Sequence, residues 1–199
     1  MTNLKGKVIL ITGAGKGSGK ALAGAFAERG AIVAANDISP VNVEKVVEKI
    51  AEKGGQAKAF IEDVAKKVGA QNLIKQVEDD FGRIDVLVNH ASVEPHVALL
   101  EMDEWDWHRV LDVNLTGAFL MTQSVGRVMR SQGSGVIINL VLPDQDPFGN
   151  DAAFVTTMQG LIGFTHQAAR ELSPYGIQIH LLETGNDLVD RVIALLEEK

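Results

Sequence analysis

Glycines at 13, 17 and 19, in the run Thr12-Gly13-Ala14-Gly15-Lys16-Gly17-Ser18-Gly19, are spaced to let a backbone turn sharply and approach a pyrophosphate. The chemistry on offer is anion binding by main-chain N–H groups at the positive end of the next helix. Asp37 stands about 20 residues beyond the glycines, where a carboxylate can accept hydrogen bonds from the ribose hydroxyls of an adenosine. Each feature alone has a plainer reading, an ordinary glycine-rich turn or a helix N-cap. Together they favour a bound nucleotide. Other chemistry-bearing side chains are scattered. His90, His96, Asp144 and Asp146 fall where loops leave apolar runs, while His166 and His180 read as helix-face and strand residues. No His, Cys, Asp and Glu cluster has metal-ligand spacing, and no Gly-x-Ser-x-Gly nucleophile elbow occurs.

The elements that must position these groups alternate. Short β-branched apolar runs at 7–12, 32–36, 56–61, 84–89, 135–141 and 177–183 predict strands. Helical patterns are expected over 20–28, 68–81, 104–130 and 152–172, with an amphipathic tail helix over 186–199 carrying Leu188, Val189, Val192, Ile193, Leu195 and Leu196. The Glu/Lys-rich stretch 44–53, and Arg170 with Glu171, read as solvated helix faces. Strand and helix in alternation imply parallel βαβ units, hence an α/β, doubly wound, Rossmann-like sheet of six strands. At 199 residues with no linker, a single domain over 1–199 is expected, against a prior of roughly 150 residues per domain.

These residues resemble the short-chain dehydrogenase/reductase family, in the branch with a TGxxxGxG loop. The resemblance runs from about Lys5 to Gly185. It rests on the glycine loop, Asp37, Asp63 and Val64, the run Asn89-His90-Ala91-Ser92 where the family has NNAG, Val113-Asn114-Leu115-Thr116-Gly117, and Ser173-Pro174-Tyr175-Gly176-Ile177. It implies that Gly13, Gly17, Gly19, Asp37, Asp63, Val64 and Asn89 bind the cofactor. An acid at position 37 implies NAD over NADP, whereas Lys16 resembles the basic residue of NADP-using relatives.

On the nicotinamide side the resemblance implies loss. The family's catalytic Ser, Tyr and Lys fall on Leu142, Phe154 and Met158, while its Asn is retained as Asn114. Phe154 has no proton to deliver to an alkoxide, and Met158 has no charge with which to depress a neighbour's pKa. Ser92 replaces a glycine beside the cofactor, Thr184-Gly185 stands for the family's Pro-Gly, and the family's substrate-covering segment and seventh strand are missing, so a C-terminal truncation is expected. That leaves the sixth strand as a sheet edge to be covered by the tail helix or by another subunit. Trp107 matches a family packing residue, and Trp105 is available to a partner surface.

Net charge is −7 with no basic run, which disfavours nucleic acid and anionic membranes as partners. Cysteine is absent, which excludes thiol chemistry, and no apolar stretch has membrane-spanning length; a cytoplasmic location is expected. With 46% hydrophobic residues the chain can bury a core. The expected function is that of a subunit without catalytic activity of its own, beside an active homologue in an NAD-dependent alcohol or hydroxyacyl dehydrogenase. Relatives' tetramers imply association through the helices at 104–130 and 152–172. Two alternatives stand: an active NAD(P)-dependent oxidoreductase with a relocated acid such as His96 or Asp144, and a free-standing NAD(H)-binding module.

Overall fold

The computed structural model of the chain describes residues 4–142 and 152–197. Among them, six strands form one parallel sheet in the order β3-β2-β1-β4-β5-β6. The strands are β1 (Val8–Ile11), β2 (Ile32–Asn36), β3 (Gln56–Phe60), β4 (Val86–Asn89), β5 (Gly135–Val141) and β6 (Ile177–Glu183). Burial follows position in that order. The sequences of β1, β4 and β5 are buried at every residue, as strands covered on both faces must be, whereas the edge strands β3 and β6 carry exposed Gln56, Lys58, Gln178 and Glu183.

Helices α1 (Gly17–Glu28), α2 (Pro40–Glu52) and α3 (Lys67–Phe81) link the first four strands. Helices α4 (Glu104–Leu111), α5 (Gly117–Gln132) and α6 (Ala152–Leu172) come next, and α7 (Leu188–Glu197) ends the described chain. They form two layers. Leu22, Phe26, Val43 and Ile50 of α1 and α2 share a core with Leu188, Val192 and Ile193 of α7; Leu73, Val77, Met121, Val125 and Ala168 of α3, α5 and α6 pack on the other face. The stretch 44–53 is thus only partly a solvated face, because Val46 and Ile50 are buried.

Two expectations need correction. The helix expected over 104–130 is interrupted by a π-helical turn, Asp112–Thr116, between α4 and α5, with right-handed helical backbone on both sides. One wide turn keeps the helix line while rotating α5 relative to α4, and it needs no glycine or proline to signal it. The tail helix α7 covers the face of the sheet beside α1, not the outer edge of β6. The Arg191 guanidinium nonetheless donates to the Glu183 carbonyl at the end of that strand.

Strand order reverses at the centre. The chain winds outward from β1 to β3, crosses back to β4 on the other side of β1, and continues to β6. The loops leaving β1 and β4 therefore diverge, and a crevice opens between them at the carboxyl ends of the strands.

Candidate cofactor site

The glycine loop begins where Thr12 closes β1 against β4. Thr12 Oγ1 accepts from the amides of His90 and Ala91, at 3.1 and 3.2 Å. Gly13 then turns with φ +68°, and a Cβ there would meet the Ala91 Cα at 2.9 Å. At Gly19 a Cβ would sit 2.6 Å from both the Gly13 carbonyl oxygen and His90 Nδ1, so loop, helix and β4 end are in van der Waals contact. Gly17 differs. It has φ +48° and nothing within 4 Å of its Cβ position, so the turn into α1 is left-handed and uncrowded there. The residues present thus fit a pyrophosphate.

Asp37 lies just past β2, and both its oxygens are engaged. Oδ2 accepts from the Gly15 amide and Oδ1 from the Ser39 amide, each at 2.9 Å. The carboxylate thereby fixes the loop across from it while lining a cleft of about 620 Å³ with Gly13, Lys16, Asp63, Val64, His90 and Ser92. Asp63 Oδ1 accepts from the Ala65 amide at 3.0 Å, and Val64 is buried. Across the cleft, exposed Trp105 lies under the Arg109 guanidinium, 5.2 Å from its ring centroid, and both residues line the same space. Trp107 packs in the core around α4 and α6. A groove of about 810 Å³ along α1 and α2 is larger; it runs from Gly17 to Gly30 and Gly54 at the opposite end of the sheet, and neither Asp37 nor His90 lines it.

Sequence reasoning missed what His90 does. Its Nδ1 lies 3.1 Å from the Gly13 carbonyl oxygen, and its ring is largely buried. Burial holds its pKa below the ordinary value, opposed by the bonds to Gly13 and Thr12 and by the charge of Asp37. The only sequence signal was a bulky ring next to the strand end.

Asn89 and Asn114 are both buried, and both act inward. Asn89 Nδ2 donates to Asn139 Oδ1 at 2.8 Å and to Thr122 Oγ1 at 3.2 Å, and Asn139 Nδ2 donates to Thr165 Oγ1 at 2.8 Å, which ties β4, β5 and α6 together. Asn114, in the π-helical turn, accepts from the Val93 amide at 2.8 Å and donates to the Val93 carbonyl at 3.0 Å. It also donates to Thr157 Oγ1 at 3.3 Å. The amide side chain thus latches the segment after β4 to α6.

Phe154 and Met158 are 2% and 6% exposed and share an apolar cluster with Val110, Ala118, Val141 and Leu161, against which Leu142 packs. The three positions share this cluster, and Met158 also borders a small recess with Ser92 and Asn114. His96 is the one non-glycine residue with positive φ, +53°, among the described residues; it is exposed, with Nδ1 3.8 Å from a Glu94 carboxylate oxygen. His166 is exposed on α6, and His180 lies on β6. Asp144 and Asp146 lie outside the described residues. Among those described, no group of three or more His, Cys, Asp or Glu could hold a metal ion, and no helix is long and apolar enough to cross a membrane.

A family model described as short chain dehydrogenase matches residues 7–195. An uncharacterized oxidoreductase of Thermotoga maritima is 38% identical over 194 residues, 96% of this chain and 76% of the relative. A 3-oxoacyl-(acyl-carrier-protein) reductase of Synechocystis is 40% identical over 188 residues, 93% of this chain and 76% of the relative. Among solved structures, an NAD+-bound xylitol dehydrogenase superposes with TM-score 0.86 at 31% identity, over 98% of this chain and 77% of its own. A metagenomic short-chain oxidoreductase in complex with NADP superposes with TM-score 0.91 at 29% identity, over 100% of this chain and 93% of its own. The chain belongs to the short-chain dehydrogenase family.

The expectation of a catalytically silent subunit beside an active homologue is overturned by these relatives. Proteins named as oxidoreductases are 35% to 40% identical over most of the chain, which favours an active oxidoreductase.

Proposed function

We propose, with that membership as the premise, that the chain is an NAD(P)-dependent oxidoreductase that interconverts a carbonyl compound and an alcohol. The observation that carries the reading is the cleft that Gly13 and Lys16 of the glycine loop line together with Asp37, Asp63 and Val64. There the first-turn amides of α1 would hold the pyrophosphate, Asp37 would take the adenosine ribose, and Val64 would line the adenine side. Asp37 favours NAD, since a carboxylate repels a 2′-phosphate. When bound, the coenzyme supplies or accepts the hydride.

The proton needs another source. Leu142, Phe154 and Met158 stand at the family's Ser, Tyr and Lys positions and carry no proton to exchange. We assign the proton donor to His96, on the segment that leaves β4 at the same end of the sheet as the cleft, with its Nδ1 3.8 Å from a Glu94 carboxylate oxygen. A 3-oxoacyl thioester is the first substrate to try, because the relatives include reductases named for that group. Exposed Phe119 on α5 and Val155 on α6 support self-association through those helices.

The test is steady-state oxidation of NADH and NADPH by the full chain with a 3-oxoacyl thioester and a panel of ketones. Turnover with NADH above NADPH is expected. Absence of turnover with either coenzyme across the panel sinks the reading.

A further inference from the structure

Two successive peptide groups of the glycine loop are held by three anchors before any ligand arrives. The Gly13–Ala14 peptide plane is gripped at both ends: its N–H, on Ala14, donates to the Asn36 carbonyl at 2.8 Å, and its carbonyl, on Gly13, faces His90 Nδ1 at 3.1 Å. The next amide, of Gly15, is held by Asp37. Two of these anchors come from the end of β2, and the third comes from His90, past the end of β4.

A carbonyl can only accept, so the imidazole must carry its proton on Nδ1. His90 cannot move away from the loop. Its own amide is bound to Thr12 Oγ1, and its ring nitrogen fills the space where Gly13 and Gly19 lack side chains. Without the imidazole, the Gly13 carbonyl would be free to rotate about a backbone already in the left-handed region, and the amides beyond it would lose their aim.

We propose that His90 is a positioning residue for the coenzyme: its Nδ1–H locks the Gly13–Ala14 peptide and so presets the loop that receives the pyrophosphate. The inference deepens the dinucleotide reading and rests on it for the ligand, but the lock itself exists without ligand. Preorganising the loop removes an ordering cost that binding would otherwise have to meet.

Amide side chains separate this role from simple space-filling. Asn carries an N–H at the δ position, where Nδ1 of His sits, while Gln carries one only at the ε position. The experiment therefore compares the full chain with His90→Asn, His90→Gln and His90→Ala. Hydrogen exchange of the Ala14 amide is read without coenzyme, and NADH affinity is read by fluorescence titration. Wild type and His90→Asn are expected to agree, while Gln and Ala speed exchange and weaken NADH binding about three- to tenfold, the range for one neutral hydrogen bond. Asn impaired as much as Gln, or all three variants like wild type, overturns the proposal. Nitrogen NMR of the wild-type imidazole needs no variant: protonation on Nε2 alone also overturns it. A wild type that binds neither NADH nor NADPH defeats the dinucleotide reading, while the exchange pattern still decides whether His90 is the lock.

Discussion

The backbone amide of Leu142 is directed at the sulfur of Met158, 3.4 Å away. The end of β5 and the inner face of α6 therefore meet at Leu142 and Met158, with Phe154 one helical turn earlier. Under the proposed function these three stand at the family's Ser, Lys and Tyr positions. Introducing Leu142→Ser, Phe154→Tyr and Met158→Lys together is expected to raise carbonyl reduction by about 10²–10⁴-fold, the usual range for a positioned general acid. Thermal stability should fall, because the lysine enters an apolar cluster. Steady-state rates on the folded variant check this, and an unchanged rate would remove these three positions from the reaction centre.

His96→Ala should lower kcat by about 10²-fold while leaving NADH affinity within about twofold, if the imidazole delivers the proton. His96→Gly relieves the positive φ and should be the more stable of the two variants, by about 1 kcal/mol. Paired turnover and melting measurements separate the chemical role from the backbone one.

Gly13→Ala and Gly17→Ala should part company. The first forces a Cβ to 2.9 Å from the Ala91 backbone, and a loss of folded protein is expected. The second meets nothing, so its cost is limited to its positive φ, about 1–2 kcal/mol. It should fold and yet lose NADH binding about tenfold or more, because a side chain disfavours the left-handed turn that aims the first amides of α1. Calorimetry combined with coenzyme titration reads both effects.

Asp37→Ser removes the charge that opposes a 2′-phosphate, and the ratio of NADPH to NADH affinity should rise by about tenfold or more. The loop should also loosen, because the Gly15 and Ser39 amides lose a charged acceptor. Competition titrations with the two coenzymes decide the point. A ratio that stays put would place the adenosine ribose elsewhere.

Asp85, buried at the start of β4, accepts from the Val8 amide at 2.9 Å, from Lys7 at 3.1 Å and from two nitrogens of Arg83 at 2.8 and 2.6 Å. Burial pushes its pKa up, but the bonds from Arg83, Val8 and Lys7 outweigh that and hold it below the ordinary carboxylate value. The unfolded chain then takes up the proton more readily than the folded one. The stabilisation is complete above the unfolded pKa of about 3.9 and is lost as pH falls through the folded value. Asp85→Asn should cost about 1.5–3 kcal/mol at neutral pH and flatten stability over that acid range, as seen by denaturant titration.

How far the sequence carried depends on whether a feature is local. The strands were legible because β1, β4 and β5 are apolar but for Asn89 and Asn139, and the glycine loop because its spacing is itself the structure. The π-helical turn was not, since Asp112–Thr116 contains nothing that interrupts a helix. The grip of Asp37 on Gly15 and the inward turn of Asn89 and Asn114 depend on partners roughly 20 to 50 residues away, which spacing along the chain does not reveal. His90 was visible as a departure from a motif, but its meaning lay in the missing side chains of Gly13 and Gly19. The prediction of a silent subunit failed for a related reason: three substituted positions were weighed above the similarity of the whole chain to named oxidoreductases.

The anchors of the glycine loop are also ordered in time. During synthesis, β1, α1 and β2 leave the ribosome as one contiguous unit, so Asn36 and Asp37 can grip the loop early. The pairing of β1 with β4, Ile9 to Val86, must wait until some 77 more residues have been made. A nascent chain halted before His90 would hold a half-formed loop with its central strand bare on one side. For that interval the apolar edge of β1 is open to chaperones, and synthesis speed through residues 37–90 should govern how much of the protein reaches its native state.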